Sequence, residues 1–171
     1  MTAQAGVSIA GIAARLARLD VREWHGLPEE LALRGADGDA AGVSMLGSAF
    51  EPADVVSLDT PPSATGARTW LRNGFVVLVD VALDSERLVS PVPDFLGEPV
   101  RRLDVTYGLL HLPSGEWVYP ARGLALVVAY DHVRHAMGFG ACSEDEYERR
   151  LRVPFVTTRR PLEAGRAKEG L

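Results

Sequence analysis

Seven side chains in this chain have types and spacings that could do chemistry: His132, His135, Cys142, Trp70, Arg72, Trp117 and Tyr119. The two histidines sit three apart. On a helix that spacing would put both on one face, suited to a metal. On the strand expected here they point to opposite faces, and no carboxylate or third imidazole lies at ligand spacing. His135 is expected on the apolar side with Val133, Met137 and Phe139, as a hydrogen-bonded core histidine rather than a ligand. No metal site and no cofactor is therefore expected.

Cys142 directly precedes Ser143, the expected cap of a helix, and a helix N-terminus lowers a thiol's pKa. Paired with His132 or His135 it would be an activated nucleophile. No general-base motif or oxyanion hole accompanies it, and free cysteines are among the most often buried residues, so packing is the stronger reading. Gly138-Phe139-Gly140 lacks both the third glycine of a dinucleotide fingerprint and the Gly-Lys-Ser/Thr of a phosphate loop. No G-x-S-x-G, H-E-x-x-H or paired-cysteine pattern occurs in the sequence. Asp37 and Asp39 sit in a Gly-rich stretch without the further oxygens of a calcium loop. A non-catalytic protein is expected.

Trp70, Arg72, Trp117 and Tyr119 are the candidate protein-binding residues. Trp, Tyr and Arg dominate interface hot spots because they bury much area and keep a polar handle. In each short strand the pair two apart, Trp70 with Arg72 and Trp117 with Tyr119, shares one face. The competing reading puts both tryptophans in the core, with Arg72 reaching out at a turn.

The elements that must position these residues are mostly strands. Ser8 can cap a helix ending near Asp20, with Ile9, Ile12, Leu16 and Leu19 on one stripe. A short helix is expected over Glu29–Leu33, and a loop over Arg34–Gly42. Val55–Leu58 and Ala67–Arg72 read as strands. Asn73-Gly74 is the strongest short hairpin signal, since both central residues of a type I′ turn need positive φ. The return strand Phe75–Leu83 is apolar on both faces, as suits a central strand. Pro91–Leu103 reads as a connector with a helical turn near Asp94–Leu96. Strands follow over Val105–Leu112, Trp117–Tyr119, Leu124–Tyr130 and Val133–Phe139. Ser143 with Glu146 forms a capping box opening a helix over Glu144–Arg152, which Pro154 stops.

A repeat is expected within this pattern. Trp70 matches Trp117, Gly74 matches Gly123 and Asp80 matches Asp131, suggesting units 43–90 and 91–142. The fold class expected is α+β: one domain over 1–171, an antiparallel sheet of two similar strand meanders with an internal duplication, and a helix near each end. Residues 155–171 read as a basic, partly flexible tail.

Composition narrows the function classes. The chain has 171 residues and a net charge of −5. From Glu148 onward seven Arg/Lys face three Glu, so the tail carries +4 and the body before it −9. An acidic body argues against nucleic-acid binding, which needs a basic patch. No signal peptide or membrane segment is read, since the apolar run Val7–Ala14 is too short to span a bilayer. One cysteine fits a reducing cytoplasm. The predominance of arginine over lysine, with abundant Ala and Gly, suggests a GC-rich bacterial genome.

Leu96-Gly97-Glu98-Pro99, Trp117-Val118-Tyr119 and Gly123-Leu124-Ala125-Leu126, set in a helix-then-meander plan, resemble the tandem α/β repeats of β-lactamase-inhibitor-type proteins and the related outer-membrane assembly lipoprotein fold. The resemblance covers about a third of the chain. It implies a fold that mostly binds other proteins rather than catalysing.

The leading expectation is a cytoplasmic protein-interaction module, immunity-like or regulatory, with an unknown protein partner and with edge strands that could pair into a homodimer. The alternatives are a small-ligand binder with a pocket between the sheet and the N-terminal helix, and, weakest, a thiol enzyme using Cys142.

Overall fold

The computed structural model describes residues 7–33, 38–84, 87–103 and 114–153. The expected strand Val105–Leu112 and the tail 155–171 lie outside the described residues. The fold is α+β: among the described residues, eight strands form one antiparallel sheet with a few short helices. The strands are β1 (Gly38–Leu46), β2 (Glu51–Leu58), β3 (Ala64–Arg72), β4 (Phe75–Leu83), β5 (Val100–Leu103), β6 (Ser114–Tyr119), β7 (Leu124–Ala129) and β8 (His132–Phe139). Their order across the sheet is β1-β2-β3-β4-β8-β7-β6-β5.

Each run of four consecutive strands, β1–β4 and β5–β8, pairs in sequence order as an antiparallel meander, and the two meanders meet where β4 pairs with β8. That order is symmetric about the sheet centre. It relates β3 to β7 and β4 to β8, and the Asn73-Gly74 turn to the Tyr130-Asp131 turn. In both turns the two central residues have positive φ, as a two-residue type I′ hairpin requires. The anchors Trp70 and Trp117 lie instead on β3 and β6, which this symmetry does not relate.

Both faces of the sheet are covered at its centre. On the first face lies α1 (Ile9–Ala17), capped by the Ser8 hydroxyl, which accepts from the Gly11 N–H at 3.0 Å. Its buried stripe of Ile9, Ile12, Ala13, Leu16 and Ala17 packs over β4 and β8. Each fully buried Leu or Ile there contributes about 1.5–3 kcal/mol. Val79, Val81, Leu124, Leu126, Val133 and Ala136 complete this layer, together with Trp24 from the segment after α1. The helix meets the sheet in direct contact, with Leu16 and Ala17 fully buried. A second short helix, α2 (Val92–Leu96), adds Val92 to the same layer.

Trp24 also locks the layer laterally, because its indole N–H donates to the Gly123 carbonyl at 3.0 Å. Gly123 has φ +61, and a Cβ there would stand 2.1 Å from the Phe139 carbonyl oxygen, so the position demands glycine. The Phe139 N–H in turn donates to the Gly123 carbonyl at 2.9 Å.

The second face is covered by the C-terminal segment. Ser143 caps one α-helical turn, α3 (Glu144–Glu146), which widens into a π-helical segment over Tyr147–Leu151. Its Tyr147 and Leu151 pack with Leu46, Val55, Trp70, Leu78, Met137 and Phe139. The strand β4 alternates as a central strand must: Leu78 belongs to the second face and Val79 to the first.

Two local expectations are corrected. Gly38–Gly42 is not loop but the start of β1, paired with β2 around an irregularity at Ala40/Gly42. Glu29–Leu33 is not a helix: Ala32 bridges to Phe75 and the Val76 N–H donates to the Leu31 carbonyl, so this segment runs beside β4. Backbone partners offered by the sheet outweigh the local helical pattern.

Candidate protein-binding surface

The four residues singled out in the sequence do not share a surface. Trp70 is 2% exposed and packs in the second-face core, whereas Tyr119 (5%) and the half-buried Trp117 belong to the first face. Burial of Trp70 and Tyr119 removes them from any surface of this chain. Arg72 stands apart: its guanidinium reaches the end of β3, where it pairs with Glu51 at 3.1 Å and donates to the Arg150 carbonyl at 2.5 Å. Burial lowers its pKa below the ordinary arginine value, with the Glu51 charge opposing that shift.

Around Arg72 a corner of the molecule takes shape. Arg150 Nε donates to both Glu51 oxygens at 3.2 and 3.0 Å. That hydrogen bond is the main reason the Glu51 carboxyl is held below its usual pKa, aided by the charge of Arg72. Glu51 thus ties β2 to β3 and to the C-terminal segment. The adjoining turn, Gly47–Phe50, is fixed by its backbone: Gly47, Ser48 and Ala49 donate N–H groups to the carbonyls of Arg152, Glu148 and Arg149 at 2.8, 2.9 and 3.0 Å. These donors satisfy carbonyls that the end of a helix leaves unpaired. The approach is so close that a Cβ on Gly47 (φ +68) would lie 2.1 Å from the Arg149 oxygen.

Pinning this turn has a consequence for Phe50. It is held at φ 51 and is 70% exposed. A bulky residue in the left-handed region is strained by about 1–2 kcal/mol, and here its ring gains little burial in return. Strain of this kind collects at functional positions. Val43 (68% exposed) and Met45 (48%) stand on the adjoining strand β1, whereas Phe75 (48%) lies on β4, three strands in from that edge. Val43 and Met45 are two apart on β1 and share a face, paired with Asp54 and Pro52 of β2. Phe75 pairs with Arg72. Val43, Pro52, Asp54, Leu71, Arg72 and Arg150 line an open concavity of about 460 Å³.

Beside this corner runs the outer edge of β1, which among the described residues pairs with no other strand, while its other side pairs with β2. Eight of its nine residues carry no charge, Asp39 being the exception, and it contains neither Lys nor Pro. Sequence reasoning missed this surface because the first half of β1, Gly38–Gly42, reads as a Gly/Asp loop. The available signal was the apolar alternation of Val43 and Met45 beside the Phe50 turn.

A second polar cluster lies on the second face. Asp80, 1% exposed, accepts from Arg68 at 3.0 Å and pairs with His135 Nδ1 at 2.9 Å. Arg68 also stacks 5.1 Å from the Trp70 ring centre. His135 is thus a hydrogen-bonded histidine, on the face of Met137 and Phe139. It does not share that face with Val133, because the β7–β8 register slips at Val127/Val128. Among the described residues no group of three or more His, Cys, Asp or Glu could hold a metal ion.

Cys142 lies half-buried beside Glu146 and Arg150 in a smaller concavity of about 230 Å³. Burial, reinforced by the Glu146 charge, pushes its thiol up to about 11. That direction is opposite to what a nucleophile at neutral pH needs. His135 sits four positions before Phe139, the end of β8, about 13 Å along the strand.

Among the described residues no helix is long and apolar enough to cross a membrane. Comparison of the chain with protein-family models, curated proteins and solved structures finds no match.

Proposed function

We propose that this protein is a non-catalytic interaction module that engages another protein through the corner formed by β1 and the Gly47–Phe50 turn. One observation carries the reading: among the described residues, three of the eight exposed large apolar or aromatic side chains, Val43, Met45 and Phe50, lie on the outermost strand β1 and the turn that follows it. Apolar patches of this kind mark interaction sites. Arg72 and Arg150 supply the polar rim, held in place by Glu51. The edge supplies main-chain donors and acceptors, and the side chains supply selectivity, as in strand-addition complexes. The resemblance of Leu96–Pro99, Trp117–Tyr119 and Gly123–Leu126 to β-lactamase-inhibitor-type repeats points the same way, toward binding. A regulatory or immunity-like role in a bacterial cytoplasm fits the single cysteine and the acidic body.

The test is affinity capture from the native lysate with three baits: wild type, Phe50→Asn and the distant surface variant Tyr130→Ala. A stoichiometric partner kept by wild type and Tyr130→Ala but lost by Phe50→Asn supports the reading. Capture that is indifferent to Phe50, or no capture by wild type, counts against it.

A further inference from the structure

We infer that the partner at the β1 edge is a second copy of this chain, joined by antiparallel β1–β1 pairing about a two-fold axis through Ser44. The inference rests on the surface proposed above and names its occupant.

The strand is self-complementary. From Gly42 to Leu46 its register with β2 is regular, one residue to one. Laid antiparallel on a copy of itself and centred on Ser44, this segment sets Val43 of each chain opposite Met45 of the other. Both side chains are exposed, at 68% and 48%, and both lie on one face. Two such cross-strand apolar pairs would form, related by symmetry, with Ser44 meeting Ser44 between them.

Charge agrees with this register. No charged residue lies between Ala40 and Leu46, so pairing like with like brings no repulsion. Farther out, Asp39 of each copy is carried toward Ser48 and Ala49 of the other. Those two residues donate to the backbone carbonyls of Glu148 and Arg149. A two-fold contact of this kind is isologous and closes on itself, giving a dimer rather than a filament. The irregularity at Ala40/Gly42, with Gly42 at φ +116, ends the regular pairing on one side and limits the strand to this register.

The register makes a sharp test. Directly opposed residues of an antiparallel pair have Cα atoms about 4.5–5.5 Å apart, inside the range a disulfide needs. In a Cys142→Ala background, Ser44→Cys should form an intermolecular disulfide under mild oxidation, whereas Ser57→Cys on the inner strand β2 should not. Light scattering after gel filtration, from roughly 1 μM to 1 mM, should report a dimer for wild type and a monomer for Val43→Lys. Met45→Lys serves as the second variant should Val43→Lys fail to fold. A wild-type monomer throughout that range overturns the inference. So does a dimer that survives both lysine variants and leaves Ser44→Cys uncrosslinked. A monomer that still captures a different protein, lost in Phe50→Asn, overturns the self-pairing and leaves the interaction role standing. A monomer that captures nothing overturns both.

Discussion

Replacing Tyr147 with Phe removes one oxygen from the most enclosed polar contact of the C-terminal segment. The Tyr147 ring is fully buried and packs 4.8 Å from the Phe139 ring, while its hydroxyl donates to Glu116, itself 5% exposed. Phe keeps the packing, so the loss is the charge-assisted hydrogen bond alone. Glu116 retains Arg152 at 3.3 Å, which limits the penalty. A hydrogen bond to a charged group contributes about 1.5–3 kcal/mol, so a loss of about 2 kcal/mol is expected. For a chain of this size that lowers Tm by about 4–8 °C.

The pH dependence separates this cause from loosened packing. Burial, with the Glu116 charge behind it, raises the Tyr147 pKa well above 10.0. In the unfolded chain the phenol ionises near its ordinary value, so above pH 10 the unfolded wild type sheds a proton that the folded form keeps. Wild-type stability then falls with rising pH by up to about 1.4 kcal/mol per unit from this group. Tyr147→Phe has no such loss, and the other titrating groups cancel in the difference. The gap between the two proteins should be widest below pH 10 and should narrow above it. Urea unfolding followed by circular dichroism from neutral to alkaline pH measures both. A gap near zero at neutral pH, or one that stays constant through pH 10 and above, would refute the reasoning.

Three further outcomes are expected. Asp80→Ala strands Arg68 and His135 without their buried carboxylate. Because those side chains are 45% and 26% exposed and can turn toward water, the expected cost is about 2 kcal/mol rather than the 3–5 of a fully enclosed pair, measured by denaturant melts. Phe50→Asn relieves the left-handed strain and gives up little burial, so stability should hold or rise by about 0.5–1 kcal/mol while partner binding is lost; a clear destabilisation would show that the ring packs. Cys142 should alkylate slowly at neutral pH, with the rate climbing toward pH 11, as followed by mass spectrometry of iodoacetamide-treated protein. Fast labelling at pH 7 would reopen the thiol-enzyme reading.

The sequence by itself determined what rests on neighbours in the chain. Ser8 capping a helix with Ile12 and Leu16 inward, Asn73-Gly74 closing a hairpin and Ser143 opening a helical turn all appear in the structure. Each depends on a few consecutive residues and one local hydrogen bond or dihedral. The antiparallel α+β class followed from the same signals. His135 as a hydrogen-bonded residue was also legible, though its partner Asp80, 55 positions away, was not.

What the tertiary structure decided were faces, edges and order. One register slip at Val127/Val128 separates His135 from Val133, and strict alternation cannot foresee it, because an extra residue in one strand reverses every side chain beyond it. Trp70 and Tyr119 fall on opposite faces because the joining of β4 to β8 fixes which side each meander presents to α1. The surface at Phe50 exists only because three carbonyls of the C-terminal segment hold the Gly47–Phe50 turn about a hundred residues away in the chain. Exposure and strain are properties of that long-range contact, so no local pattern encodes them.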